Sequence, residues 1–298
     1  MTLLENVKLG LLAVAIVMGA AASSDAQGRP PMRKHTADEA EPLRLVQANK
    51  DAGRNRVTIT TRGNKRVITS NGIPVHEVGR FPNGGNPNRI KAQAHSFTIP
   101  LSPQKTSRTS QGSLGTFGVG VNGVPFDPGA AEFWQGNPRS GWQYEALGGA
   151  VPLGLDANYA HVQPTGAYHY HGLPVGLMQQ LGWTRRTESP LIGYAADGFP
   201  IYAITATMKG RVTQMTSSYR LKPGKRTGNG PAGRHDGAFV QDYRYVAGAG
   251  SLDACNGAFV KTADYPRGTY AYFLTDTFPV IPRCHTGTPD SSFQKRRP

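Results

Sequence analysis

The sequence predicts a mainly β chain: an antiparallel sandwich or jelly-roll-like single domain with one or two short helices and one disulfide. Three observations carry this. The 298 residues include 37 glycines and 23 prolines, an excess that favours many turns and short strands over long helices. Short runs of alternating polar and β-branched or aromatic residues recur between Gly, Asn and Pro clusters. The two cysteines, Cys255 and Cys284, follow a leader that reads as an export signal, and in an oxidising compartment such a pair is most simply a disulfide. It closes a loop of 28 intervening residues.

The leader comes first. Lys8 precedes the apolar run Leu11–Ala22, which is followed by small and polar residues, the pattern of a cleaved signal peptide over residues 1–26. The run is short for a membrane span and no other stretch approaches one, so the expectation is a periplasmic or secreted chain without a transmembrane segment. Residues 27–55 read as a basic polar tail rather than as a helix over Ala37–Asn49. The domain itself is placed at residues 56–290, with a basic C-terminal tail over 291–298.

Within the domain, Arg56–Thr61 and Lys65–Thr69 alternate polar with β-branched residues around Arg62-Gly63-Asn64, a hairpin signal. A loop dense in Asn, Gly and Pro runs from Asn71 to Asn88. His95–Pro100 is the next strand, and Gly115–Asn122 is also extended. Tyr168–His171 is a strand, followed by a short helix with Pro174 in its first turn, Leu177, Met178 and Leu181 on one apolar stripe, and Gly182 past its end. Leu191–Ala195 and Phe199–Ala203 flank Ala196-Asp197-Gly198, a second hairpin. Residues 207–235 hold seven basic and no acidic side chains and read as a long loop insertion. A final meander runs from the Asn256-Gly257 turn through Ala271–Thr275 to Pro282.

The chemistry concentrates in Tyr168-His169-Tyr170-His171. On a strand, successive side chains point to opposite faces, so both histidines share one face and both tyrosines the other. Two imidazoles so placed are about 7 Å apart at Cα, close enough to hold one metal ion together. A stable site wants three or four ligands. A turn at Gln163–Gly166 would bring His161 back towards the motif as a third ligand, and His76, in the Pro-rich loop, is the fourth; His95 ranks fifth. An all-imidazole set suits Zn(II) or Cu(II). Zinc with an open position lowers the pKa of a bound water towards 7, and Asp156 or Asp197 would then serve as general base. Asp253, Asn256 and Asp197 offer oxygen ligands of the calcium type, although turn formation explains them.

Other templates fail. No G-x-S-x-G, Walker loop, dinucleotide fingerprint or H-E-x-x-H is present. Glu132, Glu145, Asp156 and Asp197 could supply a glycosidase pair, without positional support. The formal charge of +14 suits an anionic polysaccharide or surface, whereas specific nucleic-acid binding lacks any accompanying motif.

Five blocks resemble the YHYH-domain family in order: Asn71–His76, Gly166–Gly172, Ser189–Tyr202, Leu252–Gly257, and Thr269–Thr275 leading to Ile281–Cys284. The resemblance spans about Ser70 to Gly287 and implies export without naming a reaction. His285 stands where that family usually places Phe. The sequence therefore points to an exported protein binding Zn or Cu through His169, His171, His161 and His76. Its rivals are a metal-dependent hydrolase or copper-oxidase-like enzyme, and a non-catalytic polyanion-binding module.

Overall fold

The computed structural model describes residues 52–111 and 115–294, so the expected leader, most of the N-terminal tail, His35 and the last residues lie outside it. Strands β1 (Val57–Arg62), β2 (Lys65–Ser70) and β3 (His95–Pro100) form an antiparallel meander. Gly63 takes φ +58° at the first turn, the left-handed conformation that glycine adopts without steric cost. The remaining elements are β4 (Ser110–Gln111), β5 (Gly118–Gly120), β6 (Pro125–Phe126), β7 (Ala160–Val162), β8 (Tyr168–Tyr170), α1 (Val175–Gln180), β9 (Gly193–Ala195) and β10 (Pro200–Ala203). They continue with β11 (Thr205–Met208), β12 (Arg211–Gln214), β13 (Tyr219–Leu221), β14 (Tyr243–Tyr245), β15 (Gly257–Val260), β16 (Thr269–Leu274) and β17 (Cys284–His285).

An eight-stranded sheet organises the molecule in the order β15-β16-β10-β9-β5-β6-β8-β7. It is mixed: β10 runs parallel to β16 and β6 parallel to β8, where the sequence pattern suggested antiparallel pairing throughout. Parallel neighbours need a long crossover, and both connections are long enough to supply one. The β1–β3 meander packs on this sheet through Ile68, Phe97 and Ile99 against Val119 and Tyr194, giving the sandwich-like layer. The larger core gathers Phe126, Tyr168, Tyr170, Leu177, Met178, Ile201 and Tyr272. In α1 the stripe buries Leu177 and Met178 but leaves Leu181 exposed, because the helix ends at Gln180.

Cys255 and Cys284 are joined, with Cα atoms 5.1 Å apart. The basic segment is more ordered than its composition suggests. β11 and β12 pair as a hairpin, and β13 pairs with β14. Arg226 is buried, its guanidinium 2.6 Å from Asp242 and 2.5 Å from Asp236. β-branched residues at Thr205, Thr207, Val212 and Thr213 supply strand preference that the run of charges obscured.

Candidate metal centre

β7 and β8 build the site. They are antiparallel neighbours in which His161 lies directly opposite His169, Val162 opposite Tyr168 and Ala160 opposite Tyr170. Direct partners project to the same face, so His161 joins His169 and His171, while the tyrosines point the other way. The sheet edge thus presents three imidazoles: His169 and His171 are buried and His161 is half-buried, which gives the cluster its side towards solvent.

The nitrogen geometry converges. Nε2 of His171 lies 3.0 Å from Nε2 of His169 and 3.0 Å from Nε2 of His161. One ligand nitrogen from each ring falls within 4.8 Å of the others. The far side of two rings is held by backbone: Nδ1 of His161 faces the Leu153 carbonyl at 2.7 Å, and Nδ1 of His169 faces the Ala167 carbonyl at 3.2 Å. A carbonyl only accepts, so each of these Nδ1 atoms carries its proton and each Nε2 presents a lone pair. His171 Nε2 can place a proton in one of its two short contacts, not in both. At least one contact then brings two lone pairs together, an arrangement relieved by a cation between them. Tetrahedral zinc, with nitrogens at 2.0–2.1 Å, separates its ligands by roughly 3.3 Å, close to this spacing. Burial holds the His161 pKa below its ordinary 6.5, against weaker opposing effects of the Leu153 carbonyl and the Glu132, Asp127 and Asp156 carboxylates. The ring is therefore neutral near pH 7, as a metal ligand must be.

His76 does not join the cluster. Its Nε2 accepts from the Tyr170 hydroxyl at 2.5 Å, and its Nδ1 donates to the Glu77 carbonyl at 2.7 Å. It packs on the tyrosine face of β8, with the sheet between it and the three imidazoles. The expectation of His76 as fourth ligand is thus corrected: a loop residue has no fixed periodicity from which its face could be read. His95 stacks on Phe97 in β3 and lies outside the site.

The carboxylates expected as general bases serve the fold instead. Asp156 accepts from the Tyr168 hydroxyl at 2.7 Å, from the backbone N–H of Gly79, Asn158 and Ala160, and from the Asn158 amide, with Tyr168 drawing it to the tyrosine face. Asp197 accepts from the Tyr272 hydroxyl at 2.6 Å and from the backbone of Gly287 and Phe199. Asp253 and Asn256 shape the turn before β15: Asp253 accepts from Cys255 and Gly257 N–H, and Asn256 takes φ +55°. Glu145 is buried against Arg283 at 2.5 Å.

Sequence reasoning missed Asp127. Phe126 pairs with Tyr170 across β6 and β8, and their rings pack 5.4 Å apart on the tyrosine face. Alternation then turns Asp127 to the histidine face. Its N–H donates to the Tyr170 carbonyl at 2.9 Å and its Oδ2 lies 3.5 Å from the Gln163 amide. Only the β6–β8 pairing reveals this, and two residues of strand in Pro125-Phe126 carry no periodic signal.

The comparisons agree with the motif. A family model described as "YHYH protein" matches residues 96–287, which include all three clustered histidines. No curated protein matches the chain, and no solved structure does.

Proposed function

The chain belongs to the YHYH family, and from that premise we propose that it is an exported metal-binding protein. His161, His169 and His171 hold one Zn(II) or Cu(II), and a fourth position stays open to solvent. The convergence of the three Nε2 atoms carries the reading, because two 3.0 Å contacts among three imidazoles call for a cation. Imidazole without thiolate suits either metal. Export follows from the leader pattern in residues 1–26. No helix among the described residues is long and apolar enough to cross a membrane.

The open position distinguishes this site from a closed structural one. With zinc it supports a metal-dependent hydrolase, in which a bound water is acidified towards neutrality. With copper it supports oxidase-like chemistry.

The test is metal content and affinity of protein purified without chelator or nickel resin. The expected result is about one zinc or copper per chain, lost in His169→Ala/His171→Ala with an unchanged circular dichroism spectrum and retained in His76→Ala. Wild-type protein that takes up neither metal refutes the proposal.

A further inference from the structure

Resting on the metal-binding reading above, we propose that Asp127 is the charge-setting positioning residue of the centre. Its carboxylate holds a neutral, proton-bearing ligand (water, or an alcohol or amide group) in the open metal position and turns anions away.

The argument begins from charge. Three neutral imidazoles leave a divalent ion with its full +2, so a buried carboxylate on the same face biases what else the ion accepts. Asp127 is a buried carboxylate that the fold turns to that face. It is 2% exposed, it follows β6 beside the motif strand, and its neighbour Phe126 packs on the opposite, tyrosine face. Its Oδ2 is reached by the amide of Gln163, which continues β7 beyond His161 and lies on the far side of β8 from β6. The carboxylate therefore leans across β8 on the histidine side, and after Glu132 it is among the charges that oppose the burial lowering the His161 pKa.

The other carboxylates, like Asp127, have partners of their own. Asp156 is held on the tyrosine face by Tyr168. Asp197 is held by Tyr272 and Gly287, and Glu145 by Arg283. Glu132 also acts on His161 but is exposed, where solvent screens it. A buried carboxylate accepts a hydrogen bond from a metal-bound O–H or N–H and repels an incoming anion. The centre accordingly selects hydrogen-donating neutral ligands over halide, azide or carboxylate.

The test uses the full chain loaded with Cu(II), with azide as probe. Chelator competition gives the metal affinity, and the azide-to-copper charge-transfer band gives the anion affinity. Asp127→Asn keeps the size of the side chain and removes its charge. The expected result is a loss of metal affinity of about tenfold or more, in the range seen when partners of metal ligands are removed, together with azide binding tightened by a similar factor. Asp127→Glu returns both constants towards wild type, and Glu132→Gln leaves both within about twofold. Opposite movement of the two affinities separates a charge effect from structural damage, which weakens both. The inference is overturned if Asp127→Asn leaves both unchanged or weakens both in a protein with a wild-type circular dichroism spectrum. Wild-type protein that binds no copper overturns the metal reading itself.

Discussion

Replacing Tyr170 by Phe isolates one face of the motif strand from the other. The Tyr170 ring is fully buried, and its hydroxyl donates to His76 Nε2 at 2.5 Å while accepting from the Asn122 amide at 2.9 Å. Burial pushes the phenol pKa up, so the hydroxyl stays protonated and can donate. His76 has committed its Nδ1–H to Glu77, which leaves Nε2 as a bare acceptor. Phe keeps the ring packing on Phe126 but strands two buried polar groups, each at a cost of about 1–3 kcal/mol. Relief from burying the phenol oxygen offsets part of this, and a net loss of about 2–4 kcal/mol is expected. Tyr168→Phe should cost less, about 1 kcal/mol, because Asp156 keeps its backbone donors from Gly79, Asn158 and Ala160. Urea unfolding followed by tryptophan fluorescence measures both, with zinc affinity determined alongside. Tyr170→Phe should keep one zinc per chain, because the hydroxyl lies on the face away from the imidazoles and is no ligand. A stability change under about 0.5 kcal/mol, or a loss of zinc binding, would refute the two-face account.

Other perturbations follow from the same geometry. Replacing both Cys255 and Cys284, 29 positions apart in sequence, by Ser should cost about 3–4 kcal/mol in urea unfolding, and an unchanged midpoint would contradict it. Arg283→Met leaves the Glu145 carboxylate buried without its 2.5 Å partner and should cost about 3–5 kcal/mol, part of which Glu145→Gln restores in the double variant. Burial holds His76, His95, His161 and His285 below 6.5 in the folded state. A depressed folded pKa gives stability that is full above the unfolded value and lost as pH falls below it, so metal-free protein should weaken progressively below about pH 6.5. His285→Phe, retaining the stack on Phe117, should flatten that acid slope, and an identical slope would remove His285 from the account. Zinc at a hundred times its Kd should add about 2.7 kcal/mol to unfolding, and the gain should vanish in His169→Ala/His171→Ala.

How far the fold could be read in advance depended on whether a signal was local. Arg62-Gly63-Asn64 and Asp197-Gly198 announced hairpins because a positive φ must be met within the turn itself, as Gly63 and Gly198 show. The helix was equally local. The pairing of His161 with His169 followed from the short turn between them, which sets the β7–β8 register. Non-local features stayed hidden. Parallel pairing of β6 with β8 joins residues more than 40 positions apart, and that pairing turns Asp127 to the histidine face. His76 carried no information about which face of a distant strand it would meet. In the basic segment the charges dominated the reading, although Arg226 is an interior ion-pair residue and the alternating threonines are strand.

The alternation of Tyr and His follows from these two environments. A sheet edge that holds three imidazoles 3.0 Å apart at two of their contacts needs rigid backbone, since a one-residue slip would send every histidine to the opposite face. The tyrosines resist that slip. Tyr168 is tied to Asp156 and Tyr170 to His76 and Asn122, all on the buried side, so a shift of register would break three hydrogen bonds and expose two large rings. His76 comes from the loop between β2 and β3, Asn122 from the turn between β5 and β6, and Asp156 lies just before β7. The tyrosine face therefore gathers distant segments onto one strand, and the histidine face uses the position they define. On this argument His76 belongs to the centre mechanically though it is no ligand: it holds Tyr170, Tyr170 holds the strand, and the strand holds His169 and His171. The consequence is graded rather than absolute. His76→Ala should keep one metal per chain while broadening the motif's backbone amide signals in solution, whereas loss of either motif histidine should remove the metal and leave the tyrosine anchors in place.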